Sequence, residues 1–196
     1  MKTIITCAVC SLAIVAGVTL AQAADKNTEG KKVAPALNFT LKGLDGKDVD
    51  LSKYQGKVVL VVNVASECGL TPQYKGLETL NKQFSGDGLA VLGFPANEFG
   101  KQEPGTDEQI EKFCKTKYGV GFDMFSKVVV KGPGQVDFYK FLTSKETNPK
   151  FAGDISWNFE KFLIGRNGEV VARFAPRVEP TSEEVTSAIK AELAKK

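Results

Sequence analysis

The segment from Lys57 to Val64 constrains the fold most strongly, because it is an almost continuous run of β-branched residues. Such a run, with no polar alternation, is typical of a strand that is buried on both faces, as in parallel or mixed sheets. Leu89–Phe94 repeats the pattern, and apolar residues at helical spacing lie between the two runs, over Thr71–Phe84. This strand–helix–strand order predicts an α/β protein with a central sheet.

Further patterns add strands and helices around this unit. Asp45-Gly46 is a turn sequence between Asn38–Leu41 and Val49–Leu51, and it predicts an N-terminal β-hairpin. Three more strands are predicted over Met124–Val130 (an irregular sheet edge), Phe159–Ile164 and Val170–Phe174. Three more helices are predicted from the Thr106 cap through Cys114, over Val136–Ser144, and after the cap at Thr181–Glu184. Together these elements predict a thioredoxin-like fold, in which helices flank a central mixed β-sheet.

The first 23 residues have the pattern of a secretory signal peptide. Met1-Lys2 is positively charged, the stretch from Ile4 to Leu20 is uncharged and mostly apolar, and Ala21–Ala23 is a small-residue cleavage site. The alternative is a membrane anchor, but the stretch is just short of a full span. We therefore expect residues 1–23 to be removed and residues 24–196 to form one domain. The protein is then exported, periplasmic or secreted, without stable membrane insertion.

The cysteines reduce to one pair if the signal peptide is removed. Cys7 and Cys10 lie in the apolar stretch, so only Cys68 and Cys114 remain in the mature chain. Two cysteines in an oxidising compartment form either a structural disulfide or a working redox pair. Composition alone leaves both possibilities open.

The absence of histidine excludes several kinds of chemistry. A chain with no histidine has no Cys-His or Ser-His-Asp catalysis and no ordinary histidine metal site. We expect no metal and no cofactor. The net charge of +3 is spread over mixed signs, with no block of Lys and Arg, so nucleic acid is not an expected partner.

Cys68 stands where a reactive cysteine is expected, between the strongest strand and the following helix. The N-terminal end of a helix favours a thiolate, which is the nucleophilic form of cysteine. The neighbouring Gly69 is expected to let backbone approach the sulfur. An inert buried cysteine is the alternative. Thr71 stands where a C-x-x-C oxidoreductase has its second cysteine, so a thioredoxin-like disulfide reductase is excluded.

Three long segments resemble the signature motifs of glutathione peroxidases, in the family's order and roughly at its spacing. They are Asn63–Thr71, Gly93–Gly105 and Trp157–Leu163. The resemblance implies that Cys68 is the peroxide-reactive residue and that Gln102, Trp157 and Asn158 surround its sulfur. Amide and indole N–H groups donate hydrogen bonds to a thiolate without bringing a competing base.

The segment around Cys114 resembles the resolving-cysteine region of plant and yeast members of that family. The resemblance implies an intramolecular disulfide with Cys68, reduced by a thioredoxin-like protein in preference to glutathione. Ala96 occupies a position where many members carry another cysteine, which leaves the resolving role to Cys114. The chain lacks the long insertion of tetrameric members, so the resemblance implies a monomer. Lys112, Lys115 and Lys117 are expected either to lower the pKa of the thiol or to form a solvated face.

These features predict a thiol peroxidase that reduces hydrogen peroxide and organic or lipid hydroperoxides. Its expected partners are the hydroperoxide and a thioredoxin-like reductant or glutathione. Two alternatives stay open at this stage. One is a redox sensor or disulfide relay protein of the cell envelope that uses the same two cysteines, and the other is a purely structural disulfide.

Overall fold

The computed structural model describes Met1 and residues 33–195. Apart from Met1, the predicted signal peptide lies outside the described residues, as does the start of the predicted domain at residue 24. In residues 33–195, no helix is long and apolar enough to span a bilayer.

A five-stranded mixed sheet forms the centre of the domain, as predicted. Its strands in chain order are β3 (Val58–Val64), β4 (Leu89–Pro95), β5 (Asp123–Met124), β6 (Lys161–Ile164) and β7 (Val170–Phe174). In space the order is β5-β4-β3-β6-β7. β3 pairs in parallel with β4 and antiparallel with β6, so the most apolar strand of the sequence lies in the middle.

The predicted N-terminal hairpin is present as a separate two-stranded sheet. Its strands are β1 (Thr40–Lys42) and β2 (Asp48–Asp50), paired antiparallel. The turn carries Gly46 at a φ of 75°, a left-handed conformation that glycine adopts without steric cost.

In the part of the chain that the structure describes, four α-helices cover the two faces of the sheet. They are α1 (Gln73–Phe84), α2 (Asp107–Phe113), α3 (Asp137–Thr143) and α4 (Glu183–Leu193). Short 3₁₀ turns lie at Pro35–Leu37, Leu51–Tyr54 and Ser85–Asp87. Thr106 and Gln109 form a reciprocal capping box at the start of α2, and Ser182 caps α4 through the N–H of Val185.

The side chains of β3 explain why its sequence does not alternate. Val58, Leu60 and Val62 point into the core that α1, α2 and α4 cover, whereas Val59 and Val61 point into the core that α3 covers. All seven residues of the strand are buried. The predicted thioredoxin-like α/β plan, with helices flanking a mixed sheet, is therefore confirmed in its topology.

Two strand predictions were too long. The segment predicted over Met124–Val130 pairs only at Asp123–Met124, with one further bridge between Phe125 and Gly43. The segment predicted from Phe159 begins at Lys161 because Phe159 has a φ of 65°, which is incompatible with an extended strand.

Candidate active site

The loop that carries Cys68 connects β3 to α1 and is held by its own hydrogen bonds. The Cys68 N–H donates to Oγ1 of Thr71 at 3.0 Å, and that hydroxyl donates to the carbonyl of Ala65 at 2.8 Å. The Thr71 N–H donates to the Cys68 carbonyl at 3.0 Å. Thr71 therefore fixes the turn on which Cys68 lies, and both residues are buried.

The sulfur of Cys68 has one backbone donor in this loop. The N–H of Leu70 donates to Sγ at 3.4 Å. The expected helix N-terminus is not adjacent, since α1 begins at Gln73, five residues beyond Cys68, and the helix macrodipole acts within the first turn. Backbone does approach the sulfur at this point through the Leu70 N–H, but a Cβ at residue 69 would meet open space, so this approach does not depend on the lack of a side chain at Gly69.

Gln102 and Asn158 form a side-chain pair beside this loop. Nδ2 of Asn158 donates to Oε1 of Gln102 at 3.0 Å, and Asn158 is fully buried whereas Gln102 is partly exposed. The pairing occupies the Gln102 oxygen and leaves its amide N–H groups free to donate. The two amides therefore differ in placement: Gln102 borders the open space next to Cys68, and Asn158 lies behind it.

Asn63, at the end of β3, holds the segment that carries Trp157 and Asn158. Its Nδ2 donates to the carbonyl of Trp157 at 3.0 Å, and its Oδ1 accepts from the N–H of Glu160 at 3.1 Å. The N–H of Phe159 donates to the Asn63 carbonyl at 2.6 Å. One buried asparagine thus binds this segment to the central strand on which the Cys68 loop begins.

An unusual backbone conformation lies next to each member of the amide pair. Among the described residues, Lys101 (φ 55°) and Phe159 (φ 65°) are the non-glycine residues with positive φ. Lys101 precedes Gln102 and Phe159 follows Asn158. A left-handed conformation is costly for a bulky side chain, and such strain clusters at functional sites.

Trp157 lies on the open side of the same region. Its side chain is 42% exposed, and its ring packs against Phe99 with centroids 5.7 Å apart. A cleft of about 550 Å³ brings Trp157 together with Cys68 and Gln102. The other residues that line it are Gly69, Leu70, Ser156, Ala175, Pro176 and Arg177. The cleft thus has mainly apolar walls and one cation.

A buried lysine holds the far wall of the cleft. Lys161, at the start of β6, donates from Nζ to Oε1 of Gln73 at 2.5 Å and to the carbonyls of Pro176 and Val178 at 3.2 and 2.6 Å. Burial lowers the pKa of Lys161 to about 8, and the nearby Glu179 and Glu160 oppose that shift.

Cys114 is buried in the same core as Cys68 and lies outside the cleft. It is 1% exposed, and both cysteines are free thiols. Burial raises the pKa of Cys114 to about 11; the Tyr74 hydroxyl opposes this rise, and the carboxyl of Glu103 adds to it. None of the neighbouring lysines is among the causes of this shift, and Lys115 is exposed and forms an ion pair with Glu111 at 2.6 Å, which fits the alternative of a solvated face.

The backbone at Cys114 departs from a regular α-helix. α2 ends at Phe113, and Cys114–Tyr118 forms a single π-helical turn, which we call the Cys114 turn. It ends at Gly119, whose φ is 62°. π-helical turns are rare and frequently mark functional sites.

Several residues that shape the site carried little signal in the sequence. The roles of Asn63, Thr71 and Lys161 depend on contacts with distant segments, although Asn63 is conspicuous as the one amide within an apolar strand. The Leu70 N–H is a backbone group and has no sequence signal at all.

A family comparison fits this geometry. The chain matches the model of the family described as glutathione peroxidase over residues 36–143. The chain belongs to the glutathione peroxidase family. The matched segment includes Cys68, Gln102 and Cys114.

Two relatives carry names of peroxidases or hydroperoxide reductases. The thioredoxin/glutathione peroxidase BtuE of Escherichia coli is 44% identical over 81% of this chain and 97% of its own length. The hydroperoxy fatty acid reductase gpx1 of Synechocystis is 48% identical over 72% of this chain and 87% of its own length.

Solved structures agree with the fold of this glutathione peroxidase family member. The apo form of Trgpx is 36% identical, with a TM-score of 0.66 over 82% of this chain and 95% of that one. A thioredoxin-family thiol:disulfide interchange protein from Chlorobium tepidum is 20% identical, with a TM-score of 0.59 over 83% of this chain and 97% of that one. The second match shows the thioredoxin-like fold alone.

Proposed function

We propose that this chain is a thiol peroxidase in which Cys68 is the residue that reacts with hydroperoxides. The observation that carries the proposal is the cleft that joins Cys68, Gln102 and Trp157. The Cys68 thiolate attacks the peroxide, one oxygen stays on sulfur as a sulfenic acid, and water or an alcohol leaves.

Donors around the sulfur supply the electrostatic part of the reaction. The Leu70 N–H already contacts Sγ, and the free N–H groups of Gln102 and the indole N–H of Trp157 belong to residues on the same cleft. Fixed donors stabilise both the thiolate and the oxyanion that leaves the O–O bond. Asn158 acts through Gln102, because one of its amide N–H groups orients that side chain and Asn158 does not line the cleft.

Cys114 resolves the sulfenic acid as an intramolecular disulfide in this proposal. Its thiol attacks the Cys68 sulfur, water leaves, and a thiol reductant restores both cysteines. Cys114 is buried in its π-helical turn, and in this proposal the turn opens as the disulfide forms, so that the two Cα atoms reach the separation that a disulfide requires. A thioredoxin-like protein, or glutathione, is the electron donor.

The cleft suggests the kind of hydroperoxide that the enzyme accepts. Leu70, Trp157, Ala175 and Pro176 offer apolar surface, which suits organic and lipid hydroperoxides as well as hydrogen peroxide. A hydroperoxy fatty acid reductase among the relatives supports this range.

The decisive experiment is steady-state reduction of hydrogen peroxide and a fatty acid hydroperoxide, with thioredoxin or glutathione as the donor. Cys68→Ser abolishes activity with every peroxide in this proposal, and Cys114→Ser loses turnover with thioredoxin. A folded Cys68→Ser protein with substantial activity contradicts the proposal. Oxidation of Cys68 without turnover by either donor favours the redox sensor instead, because that role uses the same cysteines.

The proposed enzyme is exported and monomeric. The support is the signal-peptide pattern of residues 1–23 and the lack of the insertion associated with tetramers. Mass spectrometry of the protein after expression in a bacterial host then gives an N-terminus at Ala24 in the periplasm. Light scattering gives the mass of one chain. A retained Met1 in the mature protein contradicts the export proposal.

A further inference from the structure

Glu103 is a buried carboxyl with no hydrogen-bond partner in the described part of the chain. The residue is fully buried, and neither carboxylate oxygen has a hydrogen-bond partner. The backbone around it is well satisfied, since its N–H donates to Oδ1 of Asn97 at 2.8 Å. A buried, unpaired carboxyl is costly to the fold, so its presence calls for a role.

The positively charged side chain close to Glu103, that of Lys127, binds backbone carbonyls and not the carboxylate. Lys127 donates from Nζ to the carbonyls of Glu103 and Gly105 at 2.9 and 2.6 Å. The hydroxyl and N–H of Ser66 face the carboxyl closely enough to oppose the rise in its pKa, but neither meets hydrogen-bond geometry with a carboxylate oxygen. The Glu103 carboxylate is therefore free to accept a proton.

Glu103 lies where the Cys68 loop meets the helix that leads to Cys114. The loop is joined to the Glu103 segment by the N–H of Glu67, which donates to the Gln102 carbonyl at 3.0 Å. A cavity of about 520 Å³ separates this junction from α2, with Ser66, Glu67 and Glu103 on one side and Ile110 and Phe113 on the other. Cys114 follows Ile110 by one helical turn, and both are buried in the same core.

The proposed disulfide step creates a demand for a base at this place. Cys114 is a neutral thiol at neutral pH, because burial raises its pKa to about 11. Attack on the Cys68 sulfenic acid requires the thiolate. The chain has no histidine to take the proton. A proton transfer from thiol to carboxylate keeps the buried net charge constant, which a transfer to bulk water does not.

We propose that Glu103 is the general base that removes the Cys114 proton as Cys114 attacks the Cys68 sulfenic acid. The inference rests on the proposed function. The Cys114–Cys68 S–S bond forms, the S–O bond of the sulfenic acid breaks, and hydroxide leaves. The Cys114 proton goes to Glu103, and hydroxide then takes a proton from Glu103, so that water is the product and the carboxylate is regenerated.

The charged groups around Glu103 set its working range. Burial raises the pKa of Glu103 to about 7; Ser66 and Lys127 oppose the shift and Glu67 adds to it. The other titratable groups that face it are Tyr74 on α1, Cys114 after α2 and Lys112 on the cavity wall. A base with a pKa near the working pH is the most effective kind.

Single-turnover kinetics separate this role from a structural one. The purified full domain is mixed with one equivalent of hydrogen peroxide, quenched, alkylated and analysed by mass spectrometry across a pH series. In the wild type, the first-order rate of disulfide formation rises through pH 7 and then levels off. Glu103→Gln keeps the second-order rate of Cys68 oxidation, lowers disulfide formation roughly a hundredfold or more, and removes the rise. Glu103→Asp keeps the rise at a lower rate.

The matched control is Glu67→Gln, a neighbouring glutamate that is exposed. It retains both rates and the rise of disulfide formation with pH if the inference is correct, and the midpoint of that rise moves slightly lower because the Glu67 charge raises the pKa of Glu103. A Glu103→Gln protein with the wild-type rate and pH profile of disulfide formation overturns the assignment, as does an equal loss in both steps for Glu103→Asp. These results are distinct from failure of the proposed function, in which the wild type itself forms no Cys68–Cys114 disulfide.

Discussion

At the scale of single residues, the site depends on how amide groups are oriented. Gln102 borders the cleft, whereas Asn158 is buried behind it and donates to the Gln102 oxygen. The motif resemblance treats the two amides as equal neighbours of the sulfur. In the proposed mechanism this hydrogen bond gives them different tasks, Gln102 as a direct donor and Asn158 as a positioning residue.

A double-mutant cycle tests this division. Gln102→Ala lowers the second-order rate constant for Cys68 oxidation by roughly a hundredfold, the typical loss for one donor to a developing anion. Asn158→Ala lowers the same rate constant because Gln102 loses the hydrogen bond that orients it. The rate constant of the double variant is therefore no lower than that of Gln102→Ala alone. Stopped-flow measurement of Cys68 oxidation supplies the rates, with Asn148→Ala as a control asparagine outside the cleft. Fully additive losses, or a change only in the apparent affinity for peroxide, contradict the account.

The left-handed conformation of Lys101 gives a second residue-scale prediction. Lys101 has a φ of 55°, and because its side chain is exposed, packing of that side chain does not compensate for the strained backbone. Lys101→Gly leaves the free energy of unfolding unchanged or raises it by up to about 1 kcal/mol, whereas Lys101→Val lowers it by about 1–3 kcal/mol. Urea unfolding at constant m-value measures both. If Lys101→Val does not lower the free energy of unfolding, the backbone strain at this position is absent in solution.

At the scale of elements, the sequence predicts strands well where the apolar pattern is continuous and poorly where backbone conformation decides. β3 and β4 follow directly from their β-branched runs. The start of β6 does not, because the positive φ of Phe159 is imposed by the hydrogen bonds of the segment to Asn63. The π-helical form of the Cys114 turn is likewise invisible in a sequence whose spacing continues that of α2.

The Cys114 turn is expected to be the element that moves during the proposed reaction. In the reduced protein, we expect the amides of Cys114–Tyr118 to be moderately protected from hydrogen exchange. Oxidation by one equivalent of peroxide then increases the exchange rate of these amides, whereas the exchange rates in α1 do not change. The reason is that a disulfide needs Cα atoms within about 7 Å, and in the proposed reaction the buried turn unwinds to meet this requirement. The Cys114→Ser variant is the control, since it forms no disulfide and keeps its turn. Unchanged exchange in oxidised wild type contradicts the opening.

At the scale of the whole molecule, the core contains buried ionisable groups. Glu103 and Lys161 are both fully buried, and burial moves the pKa of Glu103 up to about 7 and that of Lys161 down to about 8. A folded domain tolerates such groups only when packing elsewhere stabilises it sufficiently. Their titration therefore shows in the stability of the entire domain.

Glu103 makes stability fall as pH rises. In the unfolded chain the carboxyl loses its proton near its ordinary pKa of 4.5, whereas in the folded chain it keeps the proton to about pH 7. The unfolded state therefore binds fewer protons between these values, and the free energy of unfolding decreases there by roughly 3 kcal/mol or less. Chemical denaturation at several pH values, compared between wild type and Glu103→Gln, isolates this contribution. A difference that is constant between pH 4.5 and 7 contradicts the raised pKa.

The most direct test of the account is the mass spectrometry of the wild-type protein after a single turnover. One equivalent of hydrogen peroxide is added to the reduced chain, free thiols are alkylated, and the non-reduced peptides are mapped. The two-cysteine mechanism predicts one intramolecular Cys68–Cys114 disulfide, loss of two hydrogens from the intact mass, and recovery of both thiols with a thioredoxin system. An intermolecular Cys68–Cys68 dimer, or a Cys68 sulfinic acid beside an unreacted Cys114 thiol, contradicts the two-cysteine mechanism.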